Sequence, residues 1–288
     1  MVGKRQATLA EHATGEEHDH QHRCQRERHS RRDHGPLLVK TANWMNHLEF
    51  DWESPIWRHF LYGLAKNRTL VRYDARGNGL SDWEVGELSL DAWVSDLETV
   101  VAAAGLNRFP LFGMSQGCAV SIAYAIRHPE QVSRLIFYGG FAVGPSKRSG
   151  SEKAVRSALV TLAREGWGKD NPAFRQVFTS MFIPGGTKEQ ADWFNELQRR
   201  TTSPECAARY PKVVGEIDVR PLLAKVKVPT LVMHVRDDAV QPFEAGRKLA
   251  AAIPGARFVP LEGRNHVPLE HEVAAKRLFD EVELFLAE

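Results

Sequence analysis

From Gly35 onward the chain alternates short apolar runs with stretches of helical periodicity, and that alternation constrains the architecture more than any other feature. Segments 37–40, 69–73, 110–112, 132–138, 229–235 and 257–260 are strand candidates. Helix candidates fit between them at 56–66, 90–104 and 116–128, and a further one at 270–287 closes the chain. Strands separated by helices pair in parallel, because the helix carries the chain back across one face of the sheet. The expected fold class is therefore α/β, with a mostly parallel central sheet flanked by helices. Ser89 stands where its hydroxyl can cap the 90–104 helix, and Gly105 where that helix can end.

Two stretches depart from the pattern. In residues 141–224 the strand signals stop and four amphipathic segments follow, so the block reads as an inserted helical cap, with 35–140 and 225–288 as the core. Thr187 with Gln190 forms a capping box, and Ser203 before Pro204 marks a second helix start. Trp167, Phe174, Phe178, Met181, Phe182, Trp193 and Phe194 are expected to form mainly the core of the cap itself. Residues 1–34 hold six of the twelve histidines, many charges and little that can pack, so a disordered leader is expected there. His12, His18, His20, His22, His29 and His34 admit a second reading as a metal-binding tract.

Composition excludes several classes of partner. A net charge of +2, from 38 basic and 36 acidic residues, creates no overall field to recruit nucleic acid or a membrane surface. Cys24, Cys118 and Cys206 are too few and scattered for a disulfide framework, and no Cys-x-x-Cys pair is present. The first thirty residues lack the apolar stretch of a signal peptide, and no segment approaches a membrane span. The expectation is a cytoplasmic enzyme acting on a small molecule.

Chemistry concentrates at Gly113-Met114-Ser115-Gln116-Gly117, a G-x-S-x-G run directly after a strand candidate and directly before a helix. A serine hydroxyl is a poor nucleophile unless a sharp turn presents it to a base, and the two glycines make room for that turn. Cys118 is small enough for tight helix packing and is placed to face into the fold. An acid and a base are expected downstream, in that order. The 229–235 strand ends at Arg236-Asp237-Asp238, which makes Asp238 the preferred acid and Asp237 the alternative. The 257–260 strand runs into Gly263-Arg264-Asn265-His266, which puts His266, the expected base, on a loop before the last helix. His234 lies inside an apolar strand and reads as a core residue; His128 and His271 flank helices. Backbone amides would meet oxyanion charge, one from Gln116 and one from the loop Thr41-Ala42-Asn43-Trp44, where Trp44 is the chosen donor.

These residues resemble the α/β-hydrolase superfamily over nearly the whole span from Gly35 to Glu288. The resemblance is carried by the elbow at Ser115, by the 69–73 strand running into Asp74-Ala75-Arg76-Gly77-Asn78-Gly79-Leu80-Ser81-Asp82, and by Gly263–His266. The run from Asn43-Trp44 through His47-Leu48-Glu49 to Asp51-Trp52, Ser54-Pro55 and Trp57 resembles a bacterial subgroup, free-standing or fused to helix-turn-helix regulators or nucleotide cyclases. The resemblance implies an eight-stranded sheet with a cap over its carboxyl edge. Two departures stand out: a polar leader occupies the place of the usual amino-terminal hairpin, which is expected to be absent or altered, and Ala42-Asn43 replaces the usual His-Gly of the oxyanion loop.

The expected activity is hydrolysis of an ester, thioester or lactone through an acyl-enzyme on Ser115, with an apolar acyl substrate and no metal or organic cofactor. Epoxide hydrolases and haloalkane dehalogenases of this fold carry aspartate at the elbow, so Ser115 argues against both. Carbon–carbon bond hydrolysis and cofactor-free perhydrolysis use the same triad, and a non-catalytic ligand sensor is the alternative from another class.

Overall fold

The computed structural model describes residues 24–28, 35–148 and 152–288. Strand β1 (Cys24–Arg28) and β2 (Leu37–Lys40) come first, followed by helix α1 (Arg58–Leu64), β3 (Thr69–Tyr73), α2 (Leu90–Ala103), β4 (Phe109–Met114), α3 (Gly117–Arg127) and β5 (Val132–Tyr138). A run of helices then intervenes: α4 (Glu152–Gly166), α5 (Ala173–Phe182), α6 (Lys188–Thr201), α7 (Pro204–Glu216) and the single-turn α8 (Arg220–Leu223). The core resumes with β6 (Thr230–Val235), α9 (Phe243–Ala252), β7 (Arg257–Leu261) and α10 (Val273–Ala287). The six strands expected from sequence are all present. Helix α9 had no counterpart among the expectations, because its ten residues offer fewer than three turns of periodicity.

The strands form one sheet in the order β1-β3-β2-β4-β5-β6-β7, with β2 to β7 parallel and β1 antiparallel to β3. The resemblance implied eight strands; the described residues supply seven. The difference lies at the expected edge. Cys24–Arg28, inside the stretch read as a disordered leader, pairs with β3 from Cys24 opposite Tyr73 to Arg28 opposite Thr69. An edge strand is held by backbone hydrogen bonds and is commonly polar, so composition alone gave no sign of it. The six leader histidines lie outside the described residues.

Successive strand residues feed opposite faces of the sheet, as strand geometry requires. Val39, Val71, Phe137 and Val232 join a core with Val94 and Leu97 of α2 and Ile122 of α3. Their neighbours Leu38, Leu70, Ile136 and Met233 join a second core with Phe60 and Leu64 of α1 and Leu278 and Phe285 of α10. Burying each such side chain contributes about 1.5–3 kcal/mol, so both helical layers are fixed to the sheet by its own residues.

The strand order also says where a ligand would bind. The chain moves from β2 outward to β3, then returns to β4 on the other side of β2, so the direction of winding reverses between β2 and β4. In open α/β sheets the crevice beyond the carboxyl ends of two such strands is the natural ligand site. Here those ends carry Thr41–Trp44 and Ser115.

The cap covers this edge. The Thr187–Gln190 capping box is present, with Gln190 N donating to Thr187 Oγ1 at 3.2 Å and Thr187 N to Gln190 Oε1 at 2.9 Å. Ser203 caps α7 through the Cys206 amide at 3.2 Å, and Ser89 caps α2 through Ala92 at 3.0 Å. Buried Arg175 ties the cap together by donating to the carbonyls of Trp167, Lys169 and Asn195 at 2.7, 2.5 and 3.0 Å. Hydroxyls of Thr201 and Thr202 fasten the cap to the core by donating to Asn46 O and Gly77 O, both at 2.5 Å. Among the described residues no helix is long and apolar enough to cross a membrane.

Candidate active site

Ser115 sits between β4 and α3 with φ of +54°, the left-handed region that costs a non-glycine residue about 1–2 kcal/mol. The turn persists because its surroundings hold it: Ser115 N donates to Tyr138 O at 3.0 Å, and neither flanking glycine leaves room for a side chain. A Cβ on Gly113 would stand 2.9 Å from Cys118 N and Gly117 O, and one on Gly117 would stand 3.1 Å from Ala42 O. Both glycines are thus fixed by close backbone approach, the second by contact with the loop after β2.

His266 follows β7 and is fully buried. Its Nδ1 lies 2.6 Å from Asp238 Oδ2, its Nε2 has no hydrogen-bond partner among the described residues, and the residue lines the same cavity as Ser115. Asp238 follows β6, and its other oxygen accepts from the amides of Val240 and Gln241 at 2.8 and 2.9 Å. Burial alone would push the Asp238 carboxyl up, but His266, His234 and the Gln241 amide together hold it below the ordinary carboxylate value. Asp237, the alternative acid, is exposed, and its amide donates to Gly263 O at 3.1 Å. The geometry thus brings Asp238, not Asp237, to His266.

His234 is more than the core residue expected from sequence. Its Nε2 lies 2.9 Å from Gln241 O and 3.6 Å from Asp238 Oδ2, so it packs behind the acid loop. Burial lowers its pKa, which makes it the neutral donor to that carbonyl. Cys118 is enclosed, its thiol donating to Gly113 O at 3.2 Å, and burial pushes the thiol well up, so it is no competing nucleophile.

The residues considered for the oxyanion line the same cavity. Gln116 begins α3, where the first amides of a helix have no intrahelical acceptor and favour negative charge. Trp44 lies on the facing loop, which is tied to α3 through Thr41: its hydroxyl meets Ser121 Oγ at 2.7 Å, and Ser121 donates in turn to Gly117 O at 2.8 Å. Below the loop, buried Lys40 donates to Asn43 Oδ1, and Asn43 Nδ2 donates to Trp44 O at 3.0 Å. Burial lowers the Lys40 ammonium to about 7, with the Arg72 charge adding to the shift. Arg72 is itself paired with Asp51 at 2.6 Å.

A family model for the alpha/beta hydrolase fold matches residues 50–272. The chain belongs to this family. It is similar to the AB hydrolase superfamily protein YisY of Bacillus subtilis, with 27% identity covering 81% of this chain and 85% of that protein. The pimeloyl-[acyl-carrier protein] methyl ester esterase of Nitrosomonas europaea is 25% identical over 81% of this chain and 90% of its own length. Among solved structures, an esterase from Exiguobacterium antarcticum superposes with a TM-score of 0.76 at 21% identity, covering 93% of this chain and 96% of that one. These relatives make the chain an enzyme of the hydrolase class.

In this hydrolase the cap does more than cover the site. Of the seven apolar cap residues expected to form mainly its own core, Phe178, Met181, Phe182 and Phe194 line the cavity. A single layer of helices has too little interior to bury them all, so one face turns to the core. Trp193 instead stacks on Phe50 at 4.4 Å, and Phe174 lies under Lys169 at 5.2 Å. Phe182 also meets the His266 ring edge-on at 5.3 Å, and its carbonyl accepts from Val267 N at 3.3 Å. Asn265 Oδ1 accepts from Gly185 N at 2.7 Å. Sequence reasoning did not single out Asn265 or Gln241, which lines the cavity beside His266. Their only sequence signal was position, one residue before the histidine and three after the acid.

Proposed function

We propose that the protein hydrolyses a neutral carboxylic ester, thioester or lactone through an acyl-enzyme on Ser115. The observation that carries this reading is the Asp238–His266 pair at 2.6 Å, with the opposite imidazole nitrogen unpartnered among the described residues and with His266 and the strained Ser115 lining one cavity. His266 Nε2 takes the proton of Ser115 Oγ as that oxygen attacks the carbonyl carbon. Asp238 accepts from Nδ1–H, which fixes the tautomer and stabilises the imidazolium that forms. Amides of Gln116 and Trp44 receive the carbonyl oxygen as it gains charge. Collapse of the tetrahedral adduct breaks the ester bond, and His266 hands its proton to the departing alcohol, thiol or ring oxygen. Water then gives a proton to His266 and its hydroxyl to the acyl carbon, after which the proton returns to Ser115 as the acid leaves.

The lining supports an uncharged substrate. Besides Ser115 and His266 it consists of Asn43, Gln116, Gln241 and apolar side chains, with no Lys, Arg, Asp or Glu among the described lining residues. A charged group buried there would lack a partner, which costs several kcal/mol. The esterase named among the relatives acts on an ester, in keeping with this reading.

A fluorophosphonate probe and p-nitrophenyl acetate test the proposal together. Wild type should be labelled on Ser115 and should release nitrophenol, and Ser115→Ala should do neither. Folded wild-type protein that resists the probe and leaves the ester intact refutes it.

A further inference from the structure

The side chain of Trp44 is held in a way that its proposed oxyanion role does not require. Its ring lies parallel to Trp167, with centroids 5.6 Å apart and planes 15° apart, and parallel to Tyr210, at 5.6 Å and 10°. Tyr210 in turn meets Trp93 of α2 at 4.7 Å. The four rings make one column that starts at the end of α4, passes through the loop after β2 and the helix α7, and ends in the core. Phe178 closes the column from the side, edge-on to Trp44 at 5.9 Å and to Trp167 at 5.3 Å.

The column is a rigid wall rather than a movable side chain. Tyr210 is buried and packs against both Trp44 and Trp93, so the ring beside Trp44 cannot retreat. Trp167 is equally buried, with its carbonyl bound by Arg175 at 2.7 Å. Aromatic pairs of this kind attract one another beyond the area they bury. Trp44 packs against both hydrophobic cores and is the one member of the column that also lines the cavity with Ser115 and His266. An indole is larger than the loop needs to present an amide. Removing it would extend the cavity into the space between the rings of Trp167, Tyr210 and Phe178.

We propose that the Trp44 indole sets the length of linear apolar chain this cavity accepts, so that the enzyme takes short-chain neutral esters and a smaller residue at 44 converts it to longer ones. The proposal rests on the ester-hydrolase reading for its catalytic readout only. Since a methylene that fits or fails to fit an apolar pocket changes the specificity constant by about tenfold or more, the effect is measurable in a homologous series.

The experiment compares wild type, Trp44→Phe and Trp44→Ala on p-nitrophenyl esters with acyl chains from two to twelve carbons, and on acetates of matching linear alcohols. The quantity read is the ratio of kcat/KM for the eight-carbon to the two-carbon member. Any damage to the oxyanion site affects both members and cancels in the ratio. The ratio should rise about tenfold or more in Trp44→Ala in at least one series, with Trp44→Phe between it and wild type. An unchanged ratio in both series, in protein shown to be folded by circular dichroism, overturns the proposal. If Trp44→Ala does not fold, Trp44→Phe carries the comparison alone, with a rise of a fewfold expected and an unchanged ratio again overturning it. A second arm separates this idea from the catalytic one: calorimetric binding of linear 2-alkanones of rising length to Ser115→Ala, with and without Trp44→Ala. Should no ester be turned over, a gain in affinity for the longer ketones in the double variant still supports the length limit, and no gain overturns it.

Discussion

The loops after β4, β6 and β7 and the loop after β2 face one cavity, yet they are held in different ways. Ser115, Asp238 and His266 are fixed by backbone: Ser115 N on Tyr138 O at 3.0 Å, two amides on Asp238 Oδ1, and Asp237 N on Gly263 O at 3.1 Å. Trp44 is fixed by side chains, stacked against Trp167 and Tyr210 of the cap. On the proposed reading, the first region sets whether chemistry occurs, and the second which molecule undergoes it. Damage to the first should slow every substrate alike. Damage to the second should change the order of preference.

The sharpest way to break this division is at the nucleophile. Ser115→Ala should lower p-nitrophenyl acetate hydrolysis by about 10⁴-fold or more while leaving the melting temperature within a few degrees of wild type, since alanine keeps the same left-handed backbone and loses only the hydroxyl. Next in size is the acid. Asp238→Asn should lower kcat by about 10³–10⁴-fold, whereas Asp237→Asn, at an exposed carboxylate that does not meet His266, should stay within about twofold of wild type. Equal losses would mean that both carboxylates serve the histidine. The same substitution has a signature in stability. Because the native carboxyl of Asp238 is held below its ordinary value, its ionised form contributes stability in full above about pH 4, and that contribution is lost as the pH falls through the depressed value. The melting temperature of Asp238→Asn should therefore trail wild type by more at pH 7 than at pH 3.

That contrast also explains what the sequence could reveal. The six parallel strands were legible because each is a short apolar run bounded by turn residues, and the Ser115 elbow because a strand, two glycines and a helix occupy adjacent positions. Asp238 and His266 were legible through chain order and loop placement, rules that act over a few residues. The strand at Cys24–Arg28 was not, since its sequence is polar and its pairing is a matter of backbone alone. Nor were Tyr210 and Asn265 visible. Tyr210 lies more than 160 positions from Trp44, and nothing in a pattern along the chain says that two rings so far apart stack. The inward turn of Phe178, Met181, Phe182 and Phe194 was missed for the same reason: periodicity marks an apolar face but not what that face meets.

A smaller effect tests the seam between the two regions. Asn265 precedes His266 and accepts from Gly185 N of the cap at 2.7 Å. Asn265→Ala leaves that amide without its acceptor, which should cost about 1–3 kcal/mol of stability and lower kcat by up to about tenfold, because the histidine loop keeps only the Val267 N to Phe182 O bond of the two that tie it to the cap. Melting curves and steady-state rates on the acetate ester measure both. A loss of stability with an unaltered kcat would show that the tie secures the cap without helping to place His266.

The smallest expected change separates the wall's hydroxyl from its ring. Tyr210→Phe keeps the stack against Trp44 and Trp93 and removes only the hydroxyl, on which the side chains of Gln116 and Asn78 act. Loss of one hydrogen-bonding hydroxyl costs about 0.5–1.5 kcal/mol, so kcat should fall by roughly two- to tenfold through the loosened start of α3, where the Gln116 amide is proposed to meet the oxyanion. The fall should be the same for short and long esters, since the aromatic wall is still in place. Trp44→Ala is expected to do the reverse, altering the ratio between chain lengths whatever it does to the rate. If Tyr210→Phe instead shifts that ratio, the hydroxyl rather than the stacked rings holds the wall, and the division between a region that reacts and a region that selects would run through Gln116 itself.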